Sequence, residues 1–325
     1  MADFTFATCL PGLEGALKHD VQRARPELRF AYSRPGLVTF KSSLAISDDD
    51  RPGSPLARVW GRSIGPARSP DDAAHQLAML GVGRVHVFAR NVEDAVELAP
   101  WLDAATSRLG VATGPSEPGE RVADVIVAPE PSEPAWLGVH RADGEHARWP
   151  GGLVPAQVPD DAPSRAYAKI EEAIAWAELP VEAGQVALEI GAAPGGAMLA
   201  LARRGLEVWG VDTAELAPVV LAEPRAHHFA LKVGALRWEQ LPPRIDWLLV
   251  DVNLAPQVAL HEVARLMPAL TRAKLRGAVI TLKLNDDAVV AELPALVERI
   301  HALGFDDVRL RHLPSNRREI CAVAR

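Results

Sequence analysis

The stretch that most limits what this chain can become starts at residue 186. There the apolar run Val-Ala-Leu-Glu-Ile ends in Gly191, Ala192, Ala193, Pro194, Gly195, Gly196 and Ala197. Three glycines and a proline directly behind a buried-strand pattern predict a tight strand-to-helix turn with its backbone bared. Further apolar runs at 206–211, 247–252 and 279–284 alternate with helical patterns. That alternation predicts a parallel, doubly wound α/β sheet. The last two runs, 308–313 and 319–324, are joined by Pro314-Ser315-Asn316-Arg317. Such a link is too short for a crossover helix, so the pair is expected to be an antiparallel hairpin.

The first half reads differently. Phe4-Thr5-Phe6-Ala7-Thr8 alternates as a strand does, and Pro11-Gly12 opens a helix with Leu13, Leu17 and Val21 on one stripe. Residues 48–53 read as a turn, and Ser69-Pro70-Asp71-Asp72 opens a second helix leading to a strand at 84–88. From 116 to 162 prolines and acidic residues recur around short apolar runs at 122–127 and 136–139, which predicts a hairpin and then a linker. An α+β half over 1–155 and a doubly wound half over 156–325 are the expectation. No internal repeat is visible.

With 48% hydrophobic and 24% charged residues among 325, the chain has the balance of a globular protein. No run reaches the length of a membrane span and no signal-peptide core follows the N-terminus, so a cytoplasmic location is expected. Cys9 and Cys321, at opposite ends, provide neither a disulfide framework nor a thiolate metal site. The net charge of −7 argues against loose electrostatic binding to nucleic acid. Any RNA contact must therefore be local, and Arg309, Arg311, Arg317, Arg318 and Arg325 are the visible cluster, with an ordinary solvated face as the alternative.

A bared turn at the carboxyl end of a parallel strand is where doubly wound sheets bind ligands. The spacing of Gly191, Gly195 and Gly196 is not that of a dinucleotide fingerprint, and no Lys-Ser/Thr follows for a P-loop. A nucleoside remains, since Asp212 ends the next strand about twenty residues on, where a carboxylate accepts ribose hydroxyls. Asp251 closes another apolar run, and Lys283 sits inside Val-Ile-Thr-Leu-Lys-Leu, where an ammonium group has no structural use. Glu319 lies in the last strand. Lys169 stands at the edge of a helical stripe made by Tyr167, Ile170 and Ile174, a position that also suits a surface lysine whose stem alone is buried.

Taken together, Lys169, Asp251, Lys283 and Glu319 around the glycine turn resemble the Lys-Asp-Lys-Glu tetrad of FtsJ-type, S-adenosylmethionine-dependent RNA ribose 2′-O-methyltransferases. Asp161-Ala-Pro-Ser-Arg-Ala-Tyr-Ala-Lys-Ile-Glu-Glu-Ala and Leu282-Lys-Leu are similar, more narrowly, to the bacterial large-subunit ribosomal RNA methyltransferase M family. Ala7-Thr-Cys-Leu-Pro-Gly-Leu-Glu resembles the start of that family's N-terminal half. The resemblance is specific over 161–325 and diffuse before. It implies a Rossmann-like methyltransferase sheet preceded by a ferredoxin-like and THUMP-like RNA-binding half. It also implies methylation of a cytidine ribose in 23S rRNA, with S-adenosyl-L-methionine as cofactor and RNA as partner. Glu189, the residues from Gly191 to Ala197, Asp212, Gly234, Ala235 and Asp251 are the implied cofactor contacts. Three departures stand out: Ala197 replaces an aromatic residue, Glu189 replaces Asp, and Val233-Gly234-Ala235 stands where relatives carry an acid that contacts adenine.

The chemistry needs only in-line alignment of a sulfonium methyl with a 2′-hydroxyl and help for the departing proton, so no metal is expected. Lys283 is the group to take or orient that proton. Burial and Lys169 push its pKa down while Asp251 and Glu319 oppose them, and the sequence leaves the sign open. His227-His228 has no third ligand at metal spacing, and Ser164 and Ser315 lack a nucleophile-elbow context. Trp60, Trp101, Trp136 and Trp149 read as core residues, with stacking on single-stranded bases as the alternative use. Two other functions fit the same sheet: a nucleotide-dependent oxidoreductase, and a non-catalytic RNA-binding protein that kept the fold.

Overall fold

The computed structural model describes residues 3–51, 53–91, 93–284 and 287–325. It forms two compact units, Met1–Val154 and Pro155–Arg325.

In the first unit the elements run β1 (Asp3–Thr8), α1 (Glu14–Ala24), β2 (Leu28–Arg34), β3 (Leu37–Ser42), β4 (Trp60–Ala67) and α2 (Pro70–Ala78). They continue with β5 (Arg84–Ala89), α3 (Ala99–Leu109), β6 (Ala112–Thr113), β7 (Arg121–Val127) and β8 (Ala135–Arg141). All eight strands join one mixed sheet in the order β2-β3-β1-β4-β8-β7-β5-β6. The hairpin expected at 122–139 is β7 and β8, antiparallel and inside the sheet. Helix α1 buries Leu17 and Val21. Helix α2 starts where Ser69 Oγ accepts the Asp72 amide at 3.1 Å, a cap that satisfies one of the orphan donors of the first turn. The turn read over 48–53 lies at 48 and 49, and Pro52 lies outside the described residues.

Alternation along β5, β7 and β8 sends Val85, Val87, Ala123, Val125, Leu137 and Val139 to one face, where they meet Ala73, Leu77 and Ala105 of α2 and α3. The opposite face carries Phe6, Leu37, Val59, Phe88 and Ile126. Sequence patterning missed β2, β3, β4, α3 and the two-residue β6. Strand β2 explains its own omission: it is an edge strand exposed along most of its length, so nothing forces an apolar alternation on it.

The second unit contains α4 (Ala166–Ala177), β9 (Val186–Ile190), α5 (Gly196–Arg203), β10 (Glu207–Val211), α6 (Pro218–Leu221), β11 (Ala226–Phe229), β12 (Trp247–Val250) and α7 (Pro256–Arg272). It ends with β13 (Gly277–Lys283), α8 (Asp287–Ala291), α9 (Leu293–His301), β14 (Val308–Arg311) and β15 (Glu319–Ala324). The sheet order is β11-β10-β9-β12-β13-β15-β14. Strands β11 through β13 are parallel, and β15 runs antiparallel between β13 and β14. This is the doubly wound sheet with a terminal antiparallel hairpin that the apolar runs predict. Strand order reverses between β9 and β12, which places a ligand crevice beyond their carboxyl ends. The core on one side of the sheet joins Tyr167, Ile170 and Ile174 of α4 to Met198, Leu199 and Leu201 of α5 over Ala187, Trp247, Val279 and Val323. Buried Trp247 donates its indole N–H to Gln185 Oε1 at 2.7 Å. Cys9 and Cys321 are buried free thiols, and burial pushes the Cys321 thiol up to about 12. No described helix is long and apolar enough to cross a membrane.

Candidate functional site

Beside the reversal point, β12, β13 and β15 each place one polar group at the same end of the sheet. Asp251 follows β12 directly, its amide still donating to Ile190 O at 2.9 Å. Lys283 ends β13, and the antiparallel register sets it opposite Glu319 at the start of β15. Lys169 enters from α4, whose buried stripe Tyr167, Ile170 and Ile174 fixes the rotation of that helix against the sheet.

The four side chains close a ring. Lys283 Nζ donates to Asp251 Oδ1 at 2.9 Å and to Glu319 Oε1 at 2.6 Å. Lys169 Nζ donates to Asp251 Oδ2 at 2.9 Å and lies 2.5 Å from Glu319 Oε2. Charges alternate around it, and side-chain exposures between 13% and 18% keep water from screening them fully. The surface-lysine alternative for Lys169 is thereby closed. Burial pushes the Asp251 and Glu319 carboxyls up, but the two ammonium groups outweigh it and hold both below the ordinary carboxylate value. Burial likewise pulls Lys283 down, and Asp251 and Glu319 win, raising it. The sign that the sequence left open is therefore upward.

The glycine turn has a packing reason besides any ligand. Gly191 has φ +84°, and a Cβ there would lie 2.5 Å from the Asp251 carbonyl oxygen. Gly196 opens α5 so close to α4 that a Cβ would meet Ser164 Oγ at 2.3 Å. The bare backbone thus lets the turn sit against both the Asp251 segment and the helix that carries Lys169. The Ala193 amide donates to Asp212 Oδ2 at 3.0 Å and the Ala214 amide to Asp212 Oδ1 at 2.9 Å, so Asp212 braces the turn from the end of β10. Ala192 and Ala197 are buried. Pro194 anchors the segment before α6 by accepting the Ala217 amide at 3.0 Å.

Glu189 lies beneath this surface, 1% exposed, with the Met198 amide bonded to it and Oε2 without a hydrogen-bond partner among the described residues. Burial first, then the Asp251 charge, raises its carboxyl well above the ordinary value. A space of about 20 Å³ lined by Lys169, Glu189, Ala197, Asp251 and Thr281 adjoins it, enough for one water molecule. Gly234 and Ala235 occupy an exposed 3₁₀ turn, Val233–Ala235, beyond the carboxyl end of β11. Arg265 of α7 holds that turn by donating to Val233 O at 2.6 Å and Leu236 O at 3.0 Å.

Sequence reasoning missed Glu172, buried on α4, which accepts the Ser315 amide at 2.8 Å and the Ser315 hydroxyl at 2.6 Å. It ties the β14–β15 loop to the helix bearing Lys169, and its only signal was a second acid, next to Glu171, on a mostly apolar helix. The arginine cluster does not form one patch. Arg309 and Arg325 pair with Asp307 at the amino end of β14, and Arg311 is buried. Only Arg317 and Arg318 are exposed beside Glu319. His227 pairs with Glu207, and His228 donates to Asp212 O at 3.0 Å.

Comparison with curated proteins finds relatives called ribosomal RNA large subunit methyltransferase M. The one from Thauera aminoaromatica is 31% identical over 199 residues, 58% of this chain and 52% of its own length. That from Alkalilimnicola ehrlichii is 35% identical over 192 residues, 56% and 51%. That from Halorhodospira halophila is 30% identical over 286 residues, 86% of this chain and 68% of the relative. The chain spans about half the length of the first of these relatives. No family model matches the chain. Among solved structures, TrmN from Thermus thermophilus aligns over 99% of both chains at 16% identity with a TM-score of 0.38.

Proposed function

The chain belongs to the ribosomal RNA large subunit methyltransferase M family, and from that premise we propose that it methylates a ribose 2′-hydroxyl of RNA with S-adenosylmethionine as donor. A cytidine of 23S rRNA is the proposed target. The observation that carries this reading is the closed ring of Lys169, Asp251, Lys283 and Glu319 beside the glycine turn, at the reversal point of the sheet.

The residues fit an adenosyl sulfonium. The turn forbids side chains at Gly191 and Gly196, the N-terminus of α5 adjoins it, Asp212 stands where ribose hydroxyls are accepted, and Glu189 keeps a buried oxygen without a partner among the described residues. Gly234 and Ala235 offer backbone groups toward adenine. When bound, the donor supplies an activated methyl electrophile. Lys283, held protonated by its two carboxylates, donates a hydrogen bond to the ribose 2′-oxygen and aims its remaining lone pair. An ammonium group has no lone pair with which to accept a proton, so the hydroxyl proton leaves to water as the new C–O bond makes the oxygen acidic. Lys169, Asp251 and Glu319 fix the position of that ammonium, which is where catalysis by alignment gains most. Arg317 and Arg318, at the rim beside Glu319, are the proposed phosphate contacts.

The test is incubation with tritiated methyl donor and unmodified ribosomal RNA, followed by mapping of alkali-resistant ribose positions. Lys283→Ala should abolish transfer while leaving donor affinity nearly unchanged, and retained activity would refute the assignment. The rate should stay flat from about pH 7 to pH 9, because Lys283 remains charged throughout. A tenfold rise per pH unit across that range would instead make Lys283 the base.

A further inference from the structure

A second cluster of chemically capable side chains lies in the first unit and has no part in methyl transfer. His86 on β5, Asp124 on β7 and His140 on β8 share the sheet face opposite α2 and α3. His86 and Asp124 are direct cross-strand partners, and His140 lies diagonal to Asp124, two residues beyond its partner Gly138. All are buried, at 0%, 0% and 3% exposure. Their ligating atoms lie within 4.8 Å of one another, and among the described residues they are the one such group of three.

The hydrogen-bond ledger of this cluster does not close. Both ring nitrogens of His86 and Oδ1 of Asp124 lack partners among the described residues. A buried group left this way costs roughly 1–3 kcal/mol, and since one ligand atom from each residue lies within 4.8 Å of the others, the open atoms call for a common cause. His140 is oriented as a ligand would be. Its Nε2 lies 2.9 Å from the Ala147 carbonyl, which can only accept, so Nε2 carries the hydrogen. Nδ1 therefore faces Asp124 Oδ2, 2.6 Å away, a place that takes either a proton or a metal cation. A second ring nitrogen donated to a backbone carbonyl is also the outer contact by which metal-binding histidines are oriented.

We propose that His86, Asp124 and His140 form a structural site for a divalent metal ion of borderline softness, zinc being the chemical match, that pins β5, β7 and β8 together. Two imidazoles and one carboxylate are the donor set of such ions, whereas magnesium and calcium prefer oxygen alone. The ion would replace the proton between His140 and Asp124 and take one ring nitrogen of His86, whose other nitrogen then carries the hydrogen, with a water molecule as its fourth ligand. Because the site is enclosed, the ion is taken up as the chain folds.

The full chain is produced in medium containing zinc chloride, passed over a chelating column and measured by plasma mass spectrometry. A second sample is refolded with cobalt chloride and its visible spectrum recorded. About one equivalent of metal per chain and the intense visible bands of tetrahedral cobalt are expected. His86→Ala and His86→Asn should lower bound metal about tenfold or more, whereas His227→Ala should leave it unchanged. Only trace metal and no cobalt bands in the unmodified chain would overturn the proposal, as would folded His86 variants that keep the full equivalent. If neither His86 variant folds, the cobalt spectrum of the unmodified chain decides alone.

Discussion

A lysine inside an apolar strand survives only when its charge is answered, and Lys283 is answered twice, by Asp251 and by Glu319. The ring is therefore fragile to the loss of either acid. Asp251→Ala leaves Lys169 and Lys283 facing one carboxylate in a mostly buried setting, and about 3–5 kcal/mol of stability should go with it in urea unfolding. Its contribution also has a pH window. The carboxyls of Asp251 and Glu319 lie below their ordinary values in the fold, so their stabilisation is present above the unfolded values and lost as pH falls through the folded ones. Lys283 is raised, so its share is complete below the ordinary lysine value and lost as pH climbs through the raised one. The stability difference between the natural chain and Asp251→Ala should accordingly be flat from about pH 5 to pH 9 and shrink beneath. A difference that instead grows toward pH 3 would show that the ring is not held by charge.

At the level of elements, the site depends on how tightly the turn between β9 and α5 nests against its neighbours. Gly191→Ala would drive a methyl into the Asp251 carbonyl and strain a left-handed φ. The expected outcome is a folded protein whose transfer rate falls about a hundredfold, since displacing an aligned group by an ångström costs on that order. Circular dichroism separates this from unfolding. Helix α4 matters similarly, because it brings Lys169 to the ring while its Glu172 holds the loop from which β15, and hence Glu319, starts. Glu172→Gln should reduce the rate with donor affinity intact. Six of the seven strands of this second unit were legible beforehand because each is a short, largely apolar run, whereas the edge strand β11, Ala-His-His-Phe, carries no such pattern. In the first unit β2 and β4 escaped notice, one being an exposed edge and the other carrying glycine and proline within its length.

For the whole molecule, a net charge of −7 means that the proposed RNA substrate would be met by few, placed cations. Splitting the five C-terminal arginines between the two ends of β14 and the interior leaves Arg317 and Arg318 as the exposed pair at the site. Replacing each by Ala should weaken RNA binding and lower the slope of log affinity against log salt by about 0.7–1, without changing donor affinity. An unchanged slope would place the RNA elsewhere.

What the sequence alone determined is what is written locally along the chain. The strand-turn-helix at Gly191–Gly196, the alternation that makes a doubly wound sheet, and the terminal hairpin all follow from residue patterns a few positions long. Tertiary structure decided everything that depends on distant residues meeting. It closed Lys169, Asp251, Lys283 and Glu319 into a ring from one helix and three strands, and so set the upward direction of Lys283. It dispersed the arginines that sequence proximity had grouped, and it gathered His86, Asp124 and His140 from three strands where no spacing announced them. The reason is physical: backbone conformation is governed by neighbours along the chain, whereas a pKa, an ion pair or a ligand set is governed by neighbours in space.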